Sequence, residues 1–226
     1  MTSAAGKGGL PLVRHATVGA FQENCYLVAD VEAGRGALVD PGAEGARLLR
    51  MVKDAGVTLE AIWLTHAHLD HVGGVAEIRR AVDVPILLHP ADAVVYANAS
   101  RAAAAYGLPF EQPPAFDREL ADGDELSVGR FRFRVIHFPG HAPGQCAFVG
   151  EALAFVGDHI FQGSIGRTDL PLSDPAAMQR SLERAARELA PALTLHPGHG
   201  PSTTMERELR SNPFLSGVAR VLGASA

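Results

Sequence analysis

Three histidines and one aspartate fall within six consecutive residues, 66–71, directly after a short apolar run that is typical of a buried strand. On an extended backbone, residues two apart point the same way, so His66 and His68 can bind one metal ion. Asp70 and His71 follow where the chain turns into a helix, and they can serve a second ion. Imidazole nitrogens together with a carboxylate form a ligand set that suits zinc or iron.

A simpler alternative is a helix N-cap, Asp70, preceded by surface histidines. It would explain any one of these residues, but it does not explain all four at this spacing. Apolar residues recur at helical spacing from Val72 to Val82, and helix N-termini favour aspartate. The sequence therefore predicts a metal-binding motif at a strand-to-helix junction.

Three further candidate ligands, His141, Asp158 and His199, each follow a predicted strand and are flanked by glycine or proline. Strand ends hold side chains on a rigid frame, and glycine lets the backbone bend closely around a small object. Seven candidate ligands at four strand ends are the constellation expected of a two-metal site.

The remaining histidines and one aspartate have simpler interpretations. We expect structural or surface roles for the histidines, although two of them, His137 and His159, could support the site from behind the ligands. These histidines are His15, His89, His137, His159 and His196. Asp40 precedes Pro41-Gly42 and is interpreted first as a turn former, with support of the metal ligands from behind as the alternative. The two cysteines, Cys25 and Cys146, are expected to be buried small hydrophobic residues.

The charge of such a site predicts its chemistry. Two divalent ions bring +4, and Asp70 and Asp158 bring −2 against five neutral imidazoles, so a charge of about +2 remains to hold a bridging hydroxide. Metal binding can lower the pKa of water from 15.7 to about 7, and we expect Asp70 to orient the resulting hydroxide. A thiol pKa of about 8.5 makes thiolate a good leaving group, which favours a thioester substrate over an amide.

The elements that must position these residues alternate between short β-rich runs and amphipathic helices. Strands are predicted at residues 12–18, 24–29, 37–39, 61–64, 85–88, 125–128, 131–136, 145–149, 152–156 and 192–195. Helices are predicted at residues 44–55, 72–82, 91–105, 175–189 and 204–210. Residues 1–9 are expected to be a frayed start, and residues 107–118 a connecting loop or, alternatively, part of a substrate wall.

Length and composition limit the class of protein. The 226 residues suit a single domain, 1–226, built from two similar halves at about 10–120 and 121–215. A net charge of −5 with well-mixed signs makes nucleic acid an unexpected partner. No apolar run is long enough to span a membrane, and the first 20 residues lack a signal-peptide pattern. We therefore expect a cytoplasmic protein, and its oligomeric state is left open.

These motifs resemble those of the metallo-β-lactamase-fold superfamily and, within it, of glyoxalase II-like (hydroxyacylglutathione hydrolase-like) metallohydrolases. The resemblance is carried by residues 65–74, 139–144, 157–158, 161–171, 197–201 and 212–215. It implies an α/β fold of the four-layer αββα sandwich type. It also implies two divalent metal ions, with zinc as the first expectation and iron or manganese also compatible.

By the same resemblance, each residue of the site receives a role. The triad His66, His68 and His141 would bind one metal, the triad Asp70, His71 and His199 would bind the other, and Asp158 would bridge them. Arg167 falls where such enzymes place a basic residue near the thiol carrier of the substrate. The implied substrate is a small-molecule thioester of the S-2-hydroxyacylglutathione type. The chain lacks the tyrosine and the longer basic C-terminal region with which full-length glyoxalase II enzymes hold glutathione.

Three other functions remain open. Persulfide dioxygenases share the run 166–169 and would use one iron held by His66, His141 and Asp158, but their last motif departs from residues 197–200 of this chain. Lactone, β-lactam or other ester hydrolysis could use the same hydroxide. A non-catalytic metal-binding module is disfavoured, because structural zinc sites are closed and usually rich in cysteine.

Overall fold

A computed structural model describes residues 9–224. Residues 1–8 of the predicted frayed start, 1–9, therefore lie outside the described residues. Two six-stranded mixed sheets face each other. The first sheet takes its strands from the N-terminal half in chain order. They are β1 Leu12–Val18, β2 Glu23–Asp30, β3 Arg35–Val39, β4 Thr58–Trp63, β5 Ile86–Leu88 and β6 Arg118–Glu119. The pairs from β3 to β6 are parallel, and the pairs from β1 to β3 are antiparallel.

The second sheet has the strand order β14-β13-β10-β9-β8-β7 and draws on the C-terminal half. These strands are β7 Glu125–Val128, β8 Phe131–His137, β9 Cys146–Val149, β10 Leu153–Gly157, β13 Thr194–Pro197 and β14 Thr203–Thr204. A separate small hairpin joins β11 Ile160–Phe161 to β12 Ser164–Ile165. The β10–β13 pair is parallel, and its register shifts between Phe155 and Gly157, one residue before Asp158.

Seven α-helices and one short 3-10 helix, Pro90–Asp92, complete the described chain. The α-helices are α1 Gly45–Asp54, α2 Leu69–Val72, α3 Val75–Ala81, α4 Ala93–Ala97, α5 Ala99–Ala105, α6 Pro175–Glu188 and α7 Met205–Ser211. The start of α6 follows from its sequence: Asp174 accepts a hydrogen bond from the Ala177 amide at 2.9 Å, and Pro175 occupies the first turn. Within residues 9–224 no helix combines the length and the apolar character needed to cross a bilayer.

Three apolar clusters separate four layers. Strand β2 shows the arrangement, because all of its residues are buried and successive side chains point to opposite faces. Leu27 packs under the N-terminal helices, whereas Tyr26 and Val28 pack between the two sheets with Trp63 and Phe148. A third cluster lies between the second sheet and helices α6 and α7. The predicted αββα sandwich is therefore confirmed.

Two predicted helices are each broken in two. The helix expected at 72–82 is interrupted at Gly73 and Gly74, where the chain passes closely under the loop after β3: a Cβ on Gly74 would lie 2.8 Å from the Pro41 carbonyl oxygen. The helix expected at 91–105 begins with a 3-10 turn and breaks at Asn98, whose side-chain amide donates to the Val94 carbonyl oxygen at 2.8 Å. Such local side-chain bonds compete with the helix ladder.

Candidate metal centre

The seven predicted ligands meet at one edge of the sandwich, each after a strand. The first cluster, 66–71, follows β4 of the first sheet. His141 follows β8, Asp158 follows β10 and His199 follows β13, all of the second sheet. Strands of both sheets therefore end at the same place, and the close approach of side chains 133 positions apart in sequence is a property of the sandwich.

Three histidines form the first triad, His66, His68 and His141. One ring nitrogen of each lies within 4.8 Å of the others. The His68 Nδ1 atom is 2.9 Å from the His141 Nε2 atom, and the His66 ring is nearly perpendicular to both other rings, at centroid distances of 4.8 and 4.9 Å. Three imidazole nitrogens that face one small volume are a suitable ligand set for a divalent cation.

Asp70, His71 and His199 form the second triad, again with one ligand atom of each within 4.8 Å of the others. The Asp70 Oδ2 atom lies 3.2 Å from the His199 Nε2 atom and 3.9 Å from the His71 Nε2 atom. Asp70 and His71 occupy the first helical turn, α2, immediately after the extended His68. Because the backbone changes from strand to helix here, the side chain of His68 joins the first triad and those of Asp70 and His71 join the second.

The Asp158 carboxylate lies between the two triads. Its Oδ1 atom is 3.4 Å from the His71 Nε2 atom, and its Oδ2 atom is 3.4 Å from His141 Nε2 and 3.5 Å from His199 Nε2. Gly198 permits this approach, because a Cβ there would lie 2.6 Å from His71 Cε1 and would also meet Asp158 Oδ1. One carboxylate therefore touches ligands of both groups.

Unpartnered buried atoms test whether the site fits metal ions. His66 Nε2, His71 Nε2 and Asp158 Oδ1 are buried and have no hydrogen-bond partner among the described residues. Buried polar atoms without a partner are costly, and all three belong to candidate ligands. Their chemistry, two imidazole nitrogens and a carboxylate oxygen, is that of ligands for a divalent cation, so the residues fit two ions.

The protonation states also suit cation binding. Burial holds the pKa of His66 well below its usual range and lowers the pKa of His68 to about 3, so both imidazoles are neutral. Burial would raise the pKa of Asp158, but the neighbouring histidines His71, His141 and His199 together outweigh burial and lower that pKa. Burial would lower the pKa of His71, but Asp158 and Asp70 raise it. A cation there must displace a proton.

A second layer of buried carboxylates holds the ligands from behind. Asp40 Oδ2 is 3.1 Å from His71 Nδ1, and the same carboxylate accepts hydrogen bonds from the Thr65 amide at 2.7 Å and the Thr65 hydroxyl at 2.6 Å. Asp40 does occupy a left-handed backbone position after β3, with φ 49°, as a turn former can. Both interpretations of Asp40 therefore apply, because the turn also aims its carboxylate at His71.

Asp92 is a functional residue that sequence reasoning missed. It is buried, and its two oxygens accept from the Ala67 amide at 2.8 Å and the Gly144 amide at 2.5 Å. It thereby joins the loop of the first histidine cluster to the loop of His141. Burial raises the pKa of Asp92 to about 6, against these two hydrogen bonds, which lower it. In sequence Asp92 resembles an ordinary acidic residue at a helix start, and no local signal reveals its partners.

Strand β2 holds the loop of His199 in a similar way, and this too was missed. The Asn24 amide donates to the Gly198 carbonyl oxygen at 2.7 Å, and the Asn24 side chain donates to the carbonyl oxygens of Pro197 and Gly200. The Tyr26 hydroxyl donates to the Pro197 carbonyl oxygen at 2.8 Å. Residues of the first sheet therefore fix a ligand loop of the second half.

Arg167 lies beside the site, but its guanidinium is engaged. It forms a two-pronged ion pair with Asp169, at 2.6 and 2.7 Å. The contact of Arg167 with the ligands runs through its backbone, whose carbonyl oxygen is 2.8 Å from His141 Nδ1. A histidine ligand is commonly oriented by such a bond to its second nitrogen.

The other histidines lie outside the ligand cluster. His89 accepts from the Ala91 amide at the start of the 3-10 helix and stacks on His137 at 4.0 Å. His159 is buried against the Phe138 ring at 4.5 Å, and burial lowers its pKa to about 3. His15 is exposed and His196 half-buried. Cys25 and Cys146 are free and buried, which confirms their predicted role.

A cleft of about 940 Å³ opens onto the ligand cluster. His68, Asp70, His141, Asp158 and His199 form its floor. Helices α4 and α5 form one wall, and the segment after β11 forms the other. No residue of the predicted loop, 107–118, is among those that line the cleft, which agrees with its interpretation as a connector.

Comparisons with known proteins cover nearly the whole chain. Residues 18–199 match the model of the metallo-beta-lactamase superfamily. The hydroxyacylglutathione hydrolase GloC of Haemophilus influenzae is 36% identical over 88% of this chain and 95% of that protein. The crystal structure of TTHA1623 in a di-iron-bound form is 47% identical, with a TM-score of 0.83, over 90% of this chain and all of that chain. The B3 metallo-beta-lactamase BLEG-1 is 32% identical, with a TM-score of 0.83, over 91% of this chain and all of that chain.

Proposed function

The chain belongs to the metallo-β-lactamase superfamily, and from this premise we propose that it is a binuclear metal-dependent hydrolase that cleaves the thioester of a small thiol. The observation that carries the proposal is the position of Asp158. Its carboxylate lies within 3.5 Å of ring nitrogens from both triads. A carboxylate between two ligand sets is the arrangement expected of a bridging ligand.

Each ligand has a defined part in this proposal. His66, His68 and His141 would hold one cation, Asp70, His71 and His199 would hold the other, and Asp158 would serve both. When bound, the two divalent cations supply Lewis acidity and lower the pKa of water to about 7. Asp70, half-buried at the cleft floor, accepts a hydrogen bond from the attacking water and directs it toward the scissile carbonyl. Asp40 and the Arg167 carbonyl oxygen keep His71 and His141 in the required orientation.

The chemistry of the leaving group supports a thioester as the substrate. With two cations bound, the imidazoles of the cleft floor, His199 included, would be ligands, so the ligand set would supply no proton to a leaving group. A thiolate needs no proton from the protein to depart at neutral pH, whereas an amide nitrogen does. The similarity to GloC, a hydroxyacylglutathione hydrolase, supports the same substrate class.

The metal identity is part of the proposal. Zinc is compatible with five imidazoles and two carboxylates, and so are iron and manganese. The relative TTHA1623 was crystallised in a di-iron-bound form, which supports iron as strongly as ligand chemistry supports zinc. The assembled second triad favours two ions over the single iron of a persulfide dioxygenase. We expect no oxygen uptake when the protein is given glutathione persulfide.

The experiment that tests the proposal uses the purified protein loaded separately with Zn²⁺ and Fe²⁺. We expect cleavage of S-lactoylglutathione and of simple acyl thioesters, followed by thiol release, and no cleavage by the metal-free protein. Because BLEG-1 is a B3 metallo-beta-lactamase, a β-lactam is included as a second substrate class. Protein that carries two metals per chain and cleaves no thioester would overturn the proposal, and β-lactam cleavage alone would replace it.

A further inference from the structure

The cleft above the candidate metal centre is larger and more apolar than a small hydroxyacyl group requires. Its volume, about 940 Å³, lies near the upper end of the 300–1,000 Å³ usual for ligand pockets. A lactoyl group has only three carbon atoms. Something much longer than this group is needed to displace water from the whole cleft.

Exposed apolar side chains are concentrated in the cleft. Among residues 9–224, eight large hydrophobic side chains are exposed, and four of them line this one cavity. These four are Phe21, Val94, Tyr106 and Leu172. Single exposed hydrophobic residues need no explanation, but a contiguous patch marks a binding surface. The Phe21 and Tyr106 rings touch edge to face, at 5.3 Å between centroids, and connect the turn after β1 with the end of α5.

One helix wall leaves room for a chain. Along α4 and α5 the residues that face the cleft include Val95, Ala99, Ala102 and Ala105, which recur at helical spacing. Because three of these four side chains are methyl groups, a slot remains between α5 and the opposite segment. Ile165 and Leu170 line that opposite side. The slot leads to the cleft floor, where His68 and Asp158 lie.

Charged groups are few above the floor. Arg101 and Arg167 are the two cations among the lining residues that the structure describes. Asp169 already neutralises Arg167 through two short hydrogen bonds. Of these two cations, Arg101 is therefore the one whose charge is not paired in this way. An apolar slot with this charge does not match a thiol carrier that bears several carboxylates or phosphates.

We propose, on the basis of the hydrolase function proposed above, that this slot binds an extended aliphatic acyl chain, so that the substrate is a medium-chain acyl thioester. The acyl chain lies along the Ala99–Ala102–Ala105 face with its carbonyl carbon at the cleft floor. Water attacks that carbon, the carbon–sulfur bond breaks, and the sulfur leaves as thiolate, so the products are a fatty acid and a free thiol. The polar thiol carrier stays in solvent at the mouth, near Arg101.

A chain-length series tests this assignment on the metal-loaded protein. N-acetylcysteamine thioesters of butanoic, hexanoic, octanoic and decanoic acid keep the thiol constant, so that only the acyl chain changes. We expect kcat/KM to rise roughly twofold to fourfold per methylene up to octanoyl, as each methylene leaves water. Octanoate should also bind at least about tenfold more tightly than butanoate in calorimetry, a measurement that needs no turnover.

Two matched variants locate the effect. Ala102→Phe fills the slot, whereas Ala104→Phe makes the same change on the same helix at an exposed position outside the lining. We expect Ala102→Phe to remove the octanoyl-to-butanoyl preference, in both kcat/KM and calorimetry. We expect Ala104→Phe to keep it.

The outcomes separate the two proposals. Equal kcat/KM for all chain lengths would overturn the acyl slot and leave thioester hydrolysis intact. A chain-length preference that survives Ala102→Phe would also overturn it. Chain-length-dependent binding of octanoate without cleavage of any thioester would support the slot while overturning the hydrolase function.

Discussion

The floor and the walls of the cleft differ in the interactions that dominate them. The floor, together with the ligands His66 and His71 and with Asp40 and Asp92 behind them, is fixed by directional hydrogen bonds between buried groups. The walls, formed by α4, α5 and the segment after β11, present exposed apolar side chains to the cleft. Because hydrogen bonds set angles and apolar contact sets only shape, the floor should determine the reaction and the walls should select the substrate.

The largest expected effect comes from the floor. Asp158→Ala removes the carboxylate between the two triads, and His66→Ala removes a ligand of the first. We expect either change to lower kcat/KM for every thioester by at least about a thousandfold. The fold should survive, because neither residue belongs to the three apolar clusters. The check is kinetics together with far-UV circular dichroism, and His15→Ala, at an exposed histidine, is the control.

A smaller effect is expected from the layer behind the ligands. Asp92→Ala leaves the Ala67 and Gly144 amides without their acceptor, and it should weaken metal binding at the His66–His68–His141 triad about 10- to 100-fold. Metal titration by calorimetry should show one site weakened more than the other. Asp92→Asn should restore part of the loss, because one carbonyl oxygen can still accept one bond. Equal weakening of both sites would mean that Asp92 acts on general stability alone.

A substitution at the rim of the walls should lower kcat/KM for one substrate more than for another. Phe21→Ala removes the edge-to-face contact with Tyr106, which is worth about 0.5–1.5 kcal/mol in such pairs. We expect kcat/KM to fall about threefold to tenfold for octanoyl thioesters and to change less than twofold for butanoyl thioesters. Val31→Ala, at an exposed residue outside the cleft, is the control. An equal loss for both substrates would contradict the division between floor and walls.

The smallest effect is expected at the exposed ion pair of Arg167 and Asp169. Pairs this accessible to solvent contribute little, and the bond to His141 comes from the Arg167 backbone. Arg167→Gln should therefore raise KM for an anionic thiol carrier by only about twofold, and 0.5 M salt should abolish the difference. A loss of kcat would show that the side chain itself, rather than the backbone, supports His141.

The candidate ligands that the structure brings together are those whose signals in the sequence are local. The cluster 66–71 is contiguous, and His141, Asp158 and His199 are recognisable because each follows a strand and lies beside glycine or proline. The four-layer sandwich was implied by the resemblance of the motifs to those of the metallo-β-lactamase-fold superfamily, and β1 and β7 were predicted with their observed bounds. These features depend on short-range patterns, which a sequence displays directly.

What sequence did not predict depends on tertiary contacts. Asp92 bonds to amides 25 and 52 residues away, and Asn24 bonds to a loop more than 170 residues away. An aspartate at a helix start and an asparagine in a strand look ordinary until the fold places their partners. The break at Asn98 and the apolar slot were missed for a related reason, since the exposure of alanine and valine side chains is known only after the walls are assembled.

The central claim is that seven side chains from four strand ends hold two metal ions around Asp158. Elemental analysis of the purified protein after loading and desalting tests it most directly, with wild type compared with His68→Ala and His199→Ala. The account predicts about two ions per wild-type chain and about one in each variant, because each variant damages a different triad. One ion or none in the wild type, or the same two ions in both variants, would contradict it.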